Sequence, residues 1–189
     1  MSTLLVSTVK DPAGGSTITV PTAGTFTIGS GRTLLLETVA SGASSVIFGS
    51  AYITSTYDIY EMEVIGGSVG TDGAVLWIRV GTDGSALLST SFYSWNYAAV
   101  AAQITPLGSS VGNASDEGFC IWSLLFSPSS TAKFKNIITF GVENEESTVT
   151  GGTWRGGAAQ TATAVNAWGI LPSTGTISGT FRLWGRSKT

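Results

Sequence analysis

There is no histidine in this chain of 189 residues, and only one cysteine, Cys120. Without histidine there is no Ser-His-Asp or Cys-His pair, no histidine metal site and no imidazole switch near neutral pH. A single cysteine excludes an internal disulfide framework and a cysteine zinc cluster. Charge is scarce as well, at 11% of residues, against roughly 25% in an average globular chain. The balance is slightly acidic, with a net charge of −3 and a pI near 4.8. Phosphate neutralisation needs clustered Lys and Arg, so a general nucleic-acid binder is excluded. No run of about 18 apolar residues occurs, and no membrane insertion is expected. Met1 to Lys10 (MSTLLVSTVK) has no basic start and only three consecutive apolar residues. A signal peptide is therefore not expected, and the protein reads as a soluble product of a cytoplasm.

What is present is apolar and hydroxylic. Hydrophobic residues make up 42%, enough for a real core, so scarce charge does not signal disorder here. More than a quarter of the chain is Ser or Thr, with 25 Gly besides. Short runs rich in Val, Ile, Thr, Phe, Tyr and Trp alternate with Gly, Ser, Asp and Pro breaks, a sandwich or barrel signature. In Tyr57–Ile65 (YDIYEMEVI), Tyr60, Met62 and Val64 share one face and Glu61 and Glu63 the other. In Ala74–Val80 (AVLWIRV), Leu76, Ile78 and Val80 form the inner set, with Trp77 and Arg79 opposite. Asp72-Gly73 and Asp83-Gly84 bracket that strand with residues that tolerate left-handed dihedrals.

Further strands are expected over Thr33–Val39, Ser45–Ile53, Ala86–Trp95, Gly118–Phe126, Phe134–Val142, Ala164–Leu171 and Ile177–Trp184. No capped segment keeps a 3.6-residue period, so no helix is expected. The fold class that follows is all-β: an antiparallel two-sheet β-sandwich of jelly-roll kind over 33–189, preceded by an extended N-terminal arm over 1–32. The arm's few bulky apolar groups are Leu4, Leu5, Val6, Ile18, Val20, Phe26 and Ile28. Such a ribbon cannot bury a face alone, which points to anchoring or oligomerisation through it.

Carboxylates are the remaining catalytic candidates. Glu61 and Glu63, two residues apart on one strand face, lie about 7 Å apart by strand geometry, a separation that suits a glycosidase pair. A solvated strand face is the simpler reading. Glu143-Asn144-Glu145-Glu146 reads as a polar turn, without the spaced ladder of a Ca²⁺ loop. The glycine-rich pieces match no phosphate loop. Cys120, inside an apolar run, reads as a buried small hydrophobe. No catalytic residue, metal site or cofactor is expected, and the chain reads as a non-enzyme.

Aromatics carry the better case. Alternation in Phe92–Tyr97 places Tyr93, Trp95 and Tyr97 on one face beside Asn96, where rings stack on the C–H faces of sugars and Asn binds hydroxyls. A core or interface role for these rings stays open. Trp154 and Arg155, set between Gly pairs, read as an exposed loop tip with a contact role. Trp184 faces away from Phe181 and Leu183 and is an interface candidate.

Certain strings resemble a known family. Ser55-Thr56-Tyr57-Asp58-Ile59-Tyr60, Thr71-Asp72-Gly73-Ala74-Val75-Leu76-Trp77-Ile78-Arg79 and Thr82-Asp83-Gly84 resemble the opening of a domain common in structural proteins of tailed bacteriophages. Ala164-Val165-Asn166-Ala167-Trp168 and Ser178-Gly179-Thr180-Phe181-Arg182-Leu183-Trp184-Gly185 resemble its close, with Trp184 where family members carry Tyr. The resemblance covers about Ser45 to Gly185, and the arm is similar to the entry region of phage tail fibres. It implies a virion protein made in the host cytoplasm, displayed on the particle exterior as a homotrimer and held by other virion proteins. One form is a short tail fibre docked to tail or baseplate that meets host surface polysaccharide. The alternative is a decoration (cement) protein lying on the major capsid protein.

Overall fold

A computed structural model describes residues 31–89, 93–95, 98–101, 103–107, 110–145, 148–149 and 152–186, with backbone alone for 93–95, 98–101, 145 and 148–149. The expected arm, apart from Gly31 and Arg32, lies outside these residues, and so do Asn96 and Tyr97. Among the described residues there is no helix. Twelve strands succeed one another: β1 (Arg32–Ala43), β2 (Val46–Phe48), β3 (Ile59–Val69), β4 (Leu76–Gly81), β5 (Tyr93–Trp95), β6 (Ala98–Ala101), β7 (Phe119–Phe126), β8 (Lys135–Glu145), β9 (Thr148–Val149), β10 (Thr153–Ala159), β11 (Ala167–Pro172) and β12 (Ile177–Arg186). They form a nine-stranded sheet in the order β1-β12-β3-β7-β8-β10-β5-β6, with β9 on β8, and a three-stranded sheet β2-β11-β4. Every described pairing is antiparallel.

The pairing is nested. The last strand, β12, lies between β1 and β3, while β11 lies between β2 and β4. Ile104 bridges Ile78 beyond β4. The chain thus passes repeatedly from sheet to sheet, and the first described strand pairs with the last, which is jelly-roll connectivity. The large sheet is extended past β7 by β8, β10, β5 and β6.

Alternation decides what the sheets bury. Tyr60, Met62 and Val64 of β3 face Leu76, Ile78 and Val80 of β4 across one core, joined by Phe48, Trp168, Ile170, Phe181 and Leu183. All are at most 1% exposed. The expected inner sets of β3 and β4 are therefore present. Tyr60 also donates its hydroxyl to the Thr54 carbonyl at 2.9 Å and accepts the Thr54 N–H at 2.8 Å, tying the preceding turn to the core. Lys135 is one of the few charged groups inside, fully buried at the start of β8. Its ammonium donates to the carbonyls of Ser130, Lys133 (2.8 Å) and Thr161 (3.1 Å), so its three donors are used while burial pulls its pKa down.

Four local expectations need correction. Of the expected strand Ala86–Trp95, the described residues 86–89 are not extended into a ladder and only β5 is strand. The run Ser45–Ile53 is a strand only over β2, because the chain then turns and the N–H groups of Tyr52 and Ile53 both donate to the Gly49 carbonyl. Residues 143–145 are no polar turn: they continue β8, with Glu143 opposite Phe119 and fully buried. Trp154 and Arg155 lie within β10 rather than at a loop tip, since the run Thr153–Ala159 pairs residue by residue with β8.

The two Asp-Gly brackets behave as expected, with φ +70° at Gly73 and +87° at Gly84. Asp83 caps its turn by accepting the N–H groups of Ala86 (2.8 Å) and Ser85 (3.1 Å), which hold its carboxyl below the ordinary value of 3.8. A depressed carboxyl lends stability that is complete above the ordinary value and fades as pH falls through the folded one. In an NMR acid titration Asp83 should protonate below 3.8, and Asp83→Asn should remove that component of acid unfolding.

Candidate functional site on the outer sheet face

The core-facing residues of the large sheet leave a second set on its outer face, and register draws these into a band. Trp184 of β12 stands opposite Glu61 of β3, and Glu63 opposite Trp122 of β7. Trp122 is in turn opposite Phe140 of β8, and Phe140 opposite Trp154 of β10.

The first part of the band is ionic. Glu61 is 1% exposed although it lies on the outer face. Its Oε1 accepts from Arg32 Nη2 at 3.0 Å and from the Trp122 indole at 2.6 Å. Its Oε2 accepts from Arg186 Nη2 at 2.9 Å and Nε at 3.1 Å. Arg32 also pairs with Glu63, whose other oxygen takes the Trp184 indole N–H at 2.9 Å. The Arg32 guanidinium rests 3.9 Å above the Trp184 ring, a cation–π contact. Two carboxylates, two guanidiniums and two indoles thus pair with one another around the buried Glu61, with the Arg32 Nε the one buried donor left without a hydrogen bond among these groups.

This corrects the expectation of a solvated strand face for Glu61 and Glu63. The arginines come from β1 and β12, and the indoles from β7 and β12, all far from Glu61 in sequence. Both oxygens of Glu61 are occupied by these donors, so the carboxyl pair is not disposed as a free acid and nucleophile. Trp184 does face away from the buried Phe181 and Leu183, yet its indole N–H and one ring face are engaged within its own chain.

The second part is aromatic and open. Trp154 is 66% exposed, tilted against Phe140 at 4.9 Å between ring centroids and edge-on to Trp122 at 6.4 Å. Gly152 makes room for this group, because a Cβ there would sit 2.6 Å from the Phe140 ring. Arg155, which the sequence groups with Trp154, points to the other face, in register with the buried Thr139. Cys120 also departs from expectation. It is exposed on the outer face of β7 opposite Val142, because Phe119 and Ile121 take the inward positions. The residues Tyr93 and Trp95 stand in β5, whose backbone pairs with β10, while the contact expected of their side chains and of Asn96 and Tyr97 falls outside the described residues.

Two hollows lie beside the aromatics. One, of ≈ 260 Å³, is walled by Ile65, Cys120, Trp122, Phe140 and Val142, with Glu63 at its edge. The other, of ≈ 460 Å³, lies toward the start of β7 and takes in Ser68, Ser115, Asp116, Glu117 and Asn144. A bulge creates the second: the ladder of β3 on β7 slips between Val64 and Gly67, and Gly66 takes φ +59°. Gly67 carries no side chain because the Phe119 ring fills the place where a Cβ would be. Asp116 and Glu117 form the expected turn before β7, and Glu117 accepts the Ala114 N–H at 2.6 Å. Among the described residues no group of three or more acidic or sulfur ligands is placed to hold a metal ion.

No family model, curated protein or solved structure matches this chain.

Glu61→Gln leaves Arg186 without its counter-charge, while Arg32 keeps only Glu63. Removing one partner of a buried pair costs about 3–5 kcal/mol, and the 40% exposure of Arg186 places the loss toward the lower end. Urea unfolding monitored by tryptophan fluorescence measures it.

Proposed function

We propose that this chain is a non-enzymatic structural protein of a tailed bacteriophage, carried on the particle exterior as a homotrimeric short tail fibre. In this reading the arm anchors it to tail or baseplate, and the outer face of the large sheet meets host glycan. The motif resemblance over Ser45–Gly185 supplies the phage context, and the jelly-roll sandwich is in keeping with it. The single observation that carries the glycan role is Trp154. An indole 66% exposed on a regular strand, braced by Phe140 and Trp122, buries little for the fold. It is instead suited to stack on the C–H face of a sugar. The occupied oxygens of Glu61 favour the binding role over glycoside hydrolysis.

Mass spectrometry of purified particles should find the chain in multiples of three, at tens of copies per particle. Hundreds of copies would select the capsid-decoration form instead, and absence from particles would remove the virion reading altogether. Trp154→Ala should reduce adsorption to host cells at least tenfold while leaving the elution volume of the trimer unchanged. Undiminished adsorption would exclude this face as the receptor surface.

A further inference from the structure

We propose that the two hollows form one continuous groove along β7 that binds an uncharged oligosaccharide and rejects acidic ones. This rests on the glycan reading above and adds a location, a ligand length and a charge class to it. The hollows share Cys120 and Val142 in their walls, so they adjoin along β7 and a chain leaving one passes over these two side chains into the other. Together they run from Trp122 to Gly118, four residues of strand at about 3.4 Å each, or about 14 Å. That is the reach of several linked sugar rings rather than one. Their combined size also falls in the range of ordinary ligand sites.

The two halves suit the two sides of a sugar chain. Toward Trp122 the walls are aromatic and aliphatic, offering stacking. Toward Gly118, Ser68, Ser115, Asp116 and Asn144 offer donors and acceptors for hydroxyls. The glycines of the bulge give a floor of backbone, so a chain can lie close to the sheet.

Charge sets the class. The walls of the groove include Glu63, Asp116 and Glu117, and no Lys or Arg. On this face Arg182, in register opposite Glu63, is paired with Glu37, and Arg32 and Arg186 are committed to Glu61 and Glu63. A uronic or sialic acid carboxylate entering here meets like charge, and each guanidinium described beside the groove already has a carboxylate partner. A neutral chain meets hydrogen-bonding partners and rings alone.

The test uses the full chain with maltohexaose, cellohexaose, N-acetylchitohexaose and hexagalacturonate as probes. Binding is measured by calorimetry, and the footprint by the rate at which N-ethylmaleimide alkylates the exposed Cys120. At least one uncharged hexaose should bind and slow alkylation threefold or more, and hexagalacturonate should do neither. Asp116→Lys, in an exposed turn, should narrow the preference at least fivefold. Neutral binding with unchanged alkylation overturns this groove but leaves glycan recognition standing. Equal binding of hexagalacturonate overturns the charge rule. Failure of all three uncharged hexaoses to bind overturns the proposal, whereas the adsorption phenotype of Trp154→Ala and the particle copy number judge the broader reading separately.

Discussion

A carboxylate removed from water needs several donors held in fixed places, and Glu61 obtains them from three other strands. Arg32 comes from the first described strand, Arg186 from the last, and Trp122 from β7. Each donor is on the outer face only if its strand keeps its register, because a one-residue slip turns every side chain over. The Glu61 cluster therefore penalises any mispairing of β1, β12, β3 and β7 by stranding a buried charge. Hydrophobic burial drives the two sheets together, but it is less selective about register than a set of matched charges and indoles. The same cluster fixes the orientation of Trp122, and through it the edge of the aromatic group that ends in Trp154.

The site next to this cluster arises from interruption of the regular sheet. Where β3 is regular, its outer residues are large and bonded. At Gly66 and Gly67 the ladder slips, side chains disappear and a hollow opens beside the turn that carries Asp116 and Glu117. Phe119 stabilises the interruption by packing its ring against the bare backbone of Gly67. A bulge thus converts a flat face into a concave one without requiring a long loop.

Much of this was legible locally. Period-two alternation marks β3 and β4 with their inner faces and sets Trp184 of β12 apart from Phe181 and Leu183, β7 is marked as a strand, and the Asp-Gly pairs mark the turns around β4. The strand β10 was not legible. Its sequence, Thr153–Ala159, is mostly Gly and Ala around Trp154, so it has no apolar rhythm, and its extended form is imposed by pairing with β8. Cys120 and Glu143 were misplaced for a related reason. Their apolar or acidic surroundings suggest one environment, but the phase of Phe119, Ile121 and Ile137 decides which face each occupies. Glu61 shows the third limit: the arginines that bury it lie 29 residues before it and 125 after it along the chain, and no local pattern announces them.

The register of the closing pair has a mechanical meaning. Arg32 stands directly opposite Arg186, so the chain enters and leaves the sandwich at one corner. A pull between residues 32 and 186 would open β1 from β12 like a zipper, loading ladder bonds one at a time, the weak geometry for an antiparallel pair whose bonds lie perpendicular to the strands. The Glu61 cluster sits at the fork of that zipper, and both guanidiniums must leave the carboxylate before the first rung yields. The charge pairs are thus placed where such a force arrives first.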